Sequence, residues 1–151
     1  MMKYYLIVLC FVGCFIGCTK HKSLVGQYID NKKEGIHVQH DSIGRIEIAT
    51  YKNGLLDGEY VLYHKSNNRI MRKKIYKANI ENGQSYYFYS SGAMQSQREW
   101  RDGKKVGYGV DYYETGETEA VMQYNNDGFL VLRYTYDKKG KRIKEEIAQG
   151  K

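Results

Sequence analysis

Side chains with hydrolase chemistry stand next to each other in the chain, at His40, Asp41 and Ser42. The members of a hydrolytic triad normally come together from separate elements, and no Gly-x-Ser-x-Gly turn is present to expose a nucleophile. We therefore interpret these residues as a hairpin turn. Glu117 and Glu119 lie two apart, on one face of an expected strand, where a solvated edge explains them better than a glycosidase pair. The sequence predicts no enzyme.

Metal and cofactor sites are also not expected. His37 and His40 are three residues apart, so on a strand they face opposite sides and cannot chelate one ion. Cys10, Cys14 and Cys18 are the three cysteines, and none follows them. The segment from Gly107 begins like a dinucleotide-binding loop, but a tyrosine stands where the third glycine belongs.

The charge balance is basic, with 24 Lys and Arg against 17 Asp and Glu, and the chain has 16 tyrosines. Cations and rings together resemble a nucleic-acid surface, but the export signal described below argues against that partner. Two interpretations stay open: a solvated charged face, or contact with an anionic glycan or with phospholipid headgroups.

The elements that must position these side chains follow an internal repeat. Glycines at positions 35, 58, 83 and 107 are separated by 23, 25 and 24 residues. Each unit contains two runs rich in Tyr, Val and Ile that are bounded by Gly, Asn, Asp or Ser, which is typical of strands joined by tight turns. We predict an all-β fold of about five consecutive β-hairpin repeats of about 24 residues, forming one extended antiparallel sheet.

Certain residues recur at fixed places in these units and are expected to be structural. They are Gly58, Gly83, Gly92, Trp100, Gly103, Gly107, Gly116, Tyr124, Gly128 and Gly140. Trp100 is predicted to be buried between neighbouring hairpins.

The segment from Glu99 to Gly109, Glu-Trp-Arg-Asp-Gly-Lys-Lys-Val-Gly-Tyr-Gly, resembles the MORN repeat. The resemblance covers about residues 35 to 147 and is to the degenerate bacterial variant. It implies a stack of hairpins that serves as a binding or scaffolding surface, without catalytic residues, and some bacterial relatives are labelled putative antitoxins. The second unit departs from the pattern at Asn67-Asn68 and at Lys77-Ala78-Asn79.

The N-terminus has the pattern of an export signal. Lys3 is followed by 15 uncharged, mostly apolar positions that end at Cys18, too few to span a bilayer. The tail of this run resembles a lipobox, with Cys18 as the lipidated residue and Cys14 as the alternative. We predict a signal peptide at 1–17, a lipidated cysteine and tether at 18–25, and a repeat domain at 26–151. The expected location is the cell envelope, with the outer membrane preferred.

The predicted binding residues are tyrosines and cations of the two most regular units. They are Tyr87, Tyr89, Tyr113, Arg101, Lys104 and Lys105. The expected function is a non-catalytic scaffold for a protein or an anionic envelope glycan, attached to the membrane by the N-terminal lipid. The alternative is an antitoxin or immunity protein that binds an exported toxin. The sequence does not determine an oligomeric state.

Overall fold

The computed structural model describes residues 23–147, which form one open antiparallel sheet without a helix. Its twelve strands are β1 (Ser23–Ile29), β2 (Lys32–His40), β3 (Ile46–Lys52), β4 (Leu55–Tyr63), β5 (Ile70–Lys77), β6 (Ile80–Glu81), β7 (Gly83–Phe88), β8 (Met94–Arg101), β9 (Lys104–Tyr112), β10 (Thr118–Tyr124), β11 (Leu130–Tyr136) and β12 (Arg142–Ile147). The strands pair in chain order, except that the short β6 lies beside β5 and the main path runs from β5 to β7. The predicted all-β stack of five hairpins is confirmed.

The sheet also contains a strand that the repeat pattern did not predict. β1 begins at Ser23 and pairs with β2, so the last three residues assigned to the tether at 18–25 belong to the sheet. This strand was missed because its turn, Asp30-Asn31, contains no glycine. The predicted signal peptide and Cys18 lie outside the described residues.

Two-residue turns with positive φ at both positions form one end of the sheet, which we call the turn end. They are Asp30-Asn31, Asn53-Gly54, Ala78-Asn79 and Asp102-Gly103. Positive φ at both positions is the type I′ geometry that matches the twist of a hairpin. The departure at Lys77-Ala78-Asn79 is therefore the same turn built without glycine. Asp127-Gly128 differs from these turns, because only Gly128 has positive φ and the pair belongs to a wider loop from Asn125 to Phe129.

Five-residue loops form most of the opposite end, the loop end. In Tyr89–Ala93, for example, the amide of Tyr89 donates to Ala93 O, and the amide of Gly92 donates back to Tyr89 O. The same pattern recurs at 41–45, 113–117 and 137–141, and the glycine always has positive φ. The second unit has a six-residue loop, in which Asn68 takes the glycine's place at φ 54°. This extra residue explains the 25-residue step of the repeat.

The repeat glycines Gly35, Gly58 and Gly107 lie inside strands, whereas Gly83 begins β7. In the β3–β4 pair, Ala49 faces Tyr60 and Tyr51 faces Leu56, so β4 has extra residues around Gly58. Gly58 has φ 124°, and a Cβ there would lie 3.0 Å from Thr50 Cβ. Positive φ and a close neighbour both favour glycine at this bulge. β2, β4 and β9 each begin three residues before their repeat glycine.

The buried residues concentrate on one face of the sheet, which we call face A. Its central rows contain Ala49, Tyr60, Leu62, Ala120 and Met122, together with the buried polar residues His37 and Ser85. Long side chains on the same face cover their neighbours, because no second layer is present within residues 23–147. The predicted alternation along β10 holds from Ala120 to Tyr124, whereas the register shifts between Thr118 and Ala120.

Candidate binding surface

Aromatic rings and lysines alternate on face A in a group that we call the ring–lysine row. Its members are Tyr87, Lys74, Trp100, Lys105 and Tyr124. Lys74 Nζ lies 5.5 Å from the centre of the Tyr87 ring and 5.9 Å from that of Trp100. Lys105 Nζ lies 5.6 Å from the Trp100 ring and 5.5 Å from the Tyr124 ring. Each ammonium group is therefore within cation–π distance of two rings.

The sheet holds Trp100 at the centre of this row. Trp100 faces Lys105 directly across the β8–β9 pair. Its indole Nε1 donates a 2.9 Å hydrogen bond to the hydroxyl of Ser85, which is fully buried. Trp100 itself is half-buried and not fully buried as predicted, because a single-layer sheet leaves part of the ring in contact with solvent.

The two lysines of the row differ in their electrostatic partners. Lys74 forms a 2.8 Å ion pair with Glu81, and each of these side chains is only 12% exposed. Burial lowers the pKa of Lys74, but the hydrogen bonds with Glu81 and Tyr87 outweigh it, so the pKa is raised overall. The ammonium group of Lys105 has no ion pair or hydrogen bond with any residue that the structure describes.

A cleft of about 560 Å³ opens beside Trp100 at the turn end. Its lining includes Trp100, Lys104, Lys105 and Tyr124, with Asp127 and Phe129 from the β10–β11 loop and Leu130 from the start of β11. Phe129 is 70% exposed. The cleft therefore combines apolar ring surface with two lysines and one carboxylate.

The six predicted binding residues occupy different places. Tyr87 and Lys105 belong to the ring–lysine row, and Lys104 lines the cleft. Arg101 is exposed and lies 3.8 Å from a carboxylate oxygen of Glu99.

Tyr89 and Tyr113 lie outside this group, at the loop end. The hydroxyl of Tyr89 donates to Tyr112 O, and that of Tyr113 donates to Tyr136 O. Both hydroxyl groups therefore link one hairpin to the next.

Face A also holds a chain of hydrogen bonds that was not predicted. Gln39 Nε2 donates to Glu47, the Tyr60 hydroxyl donates to the other oxygen of Glu47 at 2.9 Å, and Arg72 donates to the Tyr60 oxygen. Burial raises the pKa of Tyr60, the bond from Arg72 opposes this shift, and nearby Glu47 adds to it. The sequence could have indicated that Glu47 lies on face A. Glu47, Ala49 and Tyr51 are two residues apart along β3, so their side chains lie on the same face.

Of the three residues with hydrolase chemistry, Asp41 and Ser42 are part of a loop, as expected, and His40 is the last residue of β2. The Asp41 carboxylate accepts the backbone amides of Ile43 and Arg45, and a 2.6 Å bond from Arg45 Nε. Burial raises the pKa of Asp41, but these bonds lower it by more, so the pKa lies below its usual value. Asp41 thus organises the first loop.

Within 23–147, no three His, Cys, Asp or Glu side chains are grouped so that they could hold a metal ion. The same residues contain no helix with the length and apolar character needed to cross a membrane.

Comparison with known proteins gives limited information. No protein-family model matches the chain, and no curated protein matches it. Among solved structures, one similar chain is the crystal structure of a mutant of TarM from S. aureus in complex with fondaparinux, alpha-GlcNAc-glycerol and UDP. It is 18% identical over 73% of this chain, with a TM-score of 0.40. This chain spans only 21% of TarM, and a similarity this distant carries no argument about fold or function.

Proposed function

We propose that this protein is a membrane-anchored lipoprotein of the cell envelope, whose MORN-like sheet is a non-catalytic scaffold that binds a protein or an anionic envelope glycan. The observation that carries the proposal is the ring–lysine row. It places three partly exposed rings and two ammonium groups side by side on face A. Aromatic side chains with adjacent cations are the residue types that dominate binding energy at recognition surfaces.

The surface is already ordered in the free protein, which favours binding. The strand pair β8–β9 fixes Trp100 beside Lys105, and Ser85 fixes the orientation of the indole. A preorganised site loses less conformational entropy when a ligand binds. Binding by this row therefore requires no folding step.

The carboxylates of face A support a non-catalytic role. Glu47 accepts bonds from Gln39 and Tyr60, and Asp111 is paired with Arg98. A general acid or base must exchange a proton with substrate, so it has to be within reach of the reacting group. These carboxylates are instead used to hold neighbouring strands together.

The membrane anchor in this proposal is a lipid on Cys18. Four residues, Thr19 to Lys22, separate that cysteine from the start of β1. Even fully extended, four residues span at most about 14 Å. The sheet would therefore work close to the membrane surface, where envelope glycans and other lipoproteins are concentrated.

The proposal is tested by partner capture from detergent-solubilised membranes of the native host. Lys105→Glu reverses a charge in the ring–lysine row, and Lys139→Glu makes the same change in net charge at an exposed loop. We expect Lys105→Glu to lose the partner and Lys139→Glu to retain it, with equal thermal midpoints. Equal recovery of the partner by wild type and Lys105→Glu would contradict the proposed binding surface.

A further inference from the structure

We propose that the cleft beside Trp100 binds a carboxylate-bearing sugar of an acidic glycan, with its carboxylate on Lys105 and its ring against the aromatic side chains. This inference rests on the proposed function and specifies the ligand of the same surface. It follows from a comparison of two lysines in the sheet, from the exposed rings of the cleft, and from the charges on its rim.

Lys74 and Lys105 occupy similar surroundings. Each ammonium group lies between two aromatic rings, and the two lysines share Trp100. Glu81 supplies a carboxylate to Lys74 at 2.8 Å. No described residue supplies one to Lys105. A ligand carboxylate would therefore have the same relationship to Lys105 that the Glu81 carboxylate has to Lys74.

The rings of the cleft favour a sugar as the carrier of that carboxylate. Trp100 and Tyr124 are half-buried, and Phe129 is 70% exposed. Lys74 and Lys105 both lie within cation–π distance of the Trp100 ring, and its N–H donates to Ser85, so Phe129 offers the most accessible apolar face of the cleft. The C–H groups on one side of a pyranose present an apolar face of matching size. The hydrogen atoms of those C–H groups carry a small positive charge, which is attracted to the negative face of an aromatic ring.

Charged side chains of both signs line the rim of the cleft. Lys104 adds a second cation, whereas Asp127 contributes a carboxylate that can accept hydrogen bonds from sugar hydroxyl groups. A ligand with one negative charge per sugar and several hydroxyl groups satisfies both kinds of rim residue.

The size and shape of the cleft suit a short internal segment of a polymer. It is an open depression of about 560 Å³ and not an enclosed pocket. Gly103 and Gly128 also line the cleft, and neither has a side chain to close it. A glycan chain can therefore enter and leave while one part of it contacts the rings.

The experiment uses the fluorescence of Trp100, which is the only tryptophan of the chain. The full-length protein in detergent is titrated with tetragalacturonate, and with the same oligosaccharide after its carboxylates have been reduced to alcohols. We expect saturable binding of the acid form and at least a tenfold weaker affinity for the reduced form. Lys105→Ala should weaken binding of the acid form at least tenfold and remove the preference for it. Lys139→Ala, the matched control, should bind like wild type.

Several results would overturn the assignment. It fails if tetragalacturonate leaves the fluorescence unchanged, if the reduced form binds equally well, or if Lys105→Ala keeps the wild-type affinity. A short polyglutamate peptide is included in the titration, and its binding in place of the sugar acid would identify the ligand as an acidic peptide. If the sugar acid fails while Lys105→Glu still loses the native partner, the proposed scaffold stands and only the glycan assignment is wrong.

Discussion

Tyr89 and Tyr113 make the same contact one repeat apart. Each is the first residue of a loop, and each donates its hydroxyl at 2.8 Å to a backbone carbonyl of the following hairpin. His64 has the equivalent place in the second unit, with Nε2 3.2 Å from Phe88 O. These three contacts form a line of cross-links along the loop end, so the tyrosines stabilise the stack of hairpins.

The first prediction tests this role with Tyr113→Phe, which removes the hydroxyl and keeps the ring. We expect the free energy of unfolding to fall by about 1 kcal/mol, because one hydrogen bond to the next hairpin is lost. Urea denaturation followed by Trp100 fluorescence measures the change. Tyr108→Phe is the control, since Tyr108 is 65% exposed. If Tyr113→Phe instead keeps its stability and loses its partner, the tyrosine is the ligand contact that the sequence suggested.

The second prediction concerns two glycines that are needed for different reasons. A Cβ at Gly109 would lie 2.6 Å from Arg98 Cδ, whereas one at Gly116 has nothing within 4 Å but would be strained by its φ of 103°. Gly109→Ala should cost about 3 kcal/mol, because Arg98 is displaced from Asp111. Gly116→Ala should cost about 1–2 kcal/mol from backbone strain alone.

The two causes are separated by a double-mutant cycle. In an Arg98→Ala background, Gly109→Ala should add little further destabilisation, because the side chain that it would displace has gone. Gly116→Ala should cost the same in both backgrounds. Additive costs for Gly109→Ala and Arg98→Ala would show that the close approach of these two residues is not the cause.

The third prediction is a loss of stability at alkaline pH. Burial raises the pKa of Tyr51, Tyr60 and Tyr76 in the folded protein above the ordinary value of about 10. A raised folded-state pKa means that their contribution is complete below about pH 10 and is lost as the pH rises through the folded pKa. Lys74, whose pKa is also raised, acts in the same direction.

Urea midpoints measured across this alkaline range test the prediction. Tyr60→Phe should lower stability at neutral pH, because the bonds to Glu47 and Arg72 are lost. It should also make the alkaline decline less steep than in wild type. A wild-type midpoint that stays constant through this range would contradict the predicted linkage.

The fourth prediction concerns lipidation. Intact-mass analysis of the membrane form should show a chain that begins at Cys18 and carries lipid, and Cys18→Ala should leave unprocessed precursor. Cys14→Ala is the matched control and should be processed normally. The reverse pattern would identify Cys14 as the lipidated residue. Recovery of the protein mainly as a soluble, unlipidated form would contradict the membrane anchor.

Most of the fold could be predicted because the turns that join the strands are set by short runs of neighbouring residues. Positive φ at Gly92, Gly116 and Gly140 ends one strand and starts the next within five residues. The bulge at Gly58 was not predicted, because it depends on a neighbouring strand that crowds the glycine, and a single run of residues does not reveal that pairing. β1 was missed for a related reason, since Asp30-Asn31 forms the same turn without glycine.

The candidate site was only partly predictable. Composition singled out Tyr87 and Lys105, which do lie together in the ring–lysine row. It did not distinguish the paired Lys74 from the unpaired Lys105, because that difference depends on where β6 places Glu81. Tyr89 looked equivalent to Tyr87 in sequence, and its different contact results from its position at the start of a loop.

Because the strands pair in chain order, hairpins can form independently, and whole hairpin units can be added or removed during evolution. Because hydrogen-bonded strands are close in sequence, a hairpin can form first at any point and neighbouring hairpins can add to it, as in other repeat proteins. Such a chain has low contact order, which favours fast folding. The last strand, β12, is exposed along its whole length, so local unfolding should start there. Duplication or deletion of one 24-residue unit would leave the other pairings intact, and a protein built this way can gain or lose a cleft without being redesigned.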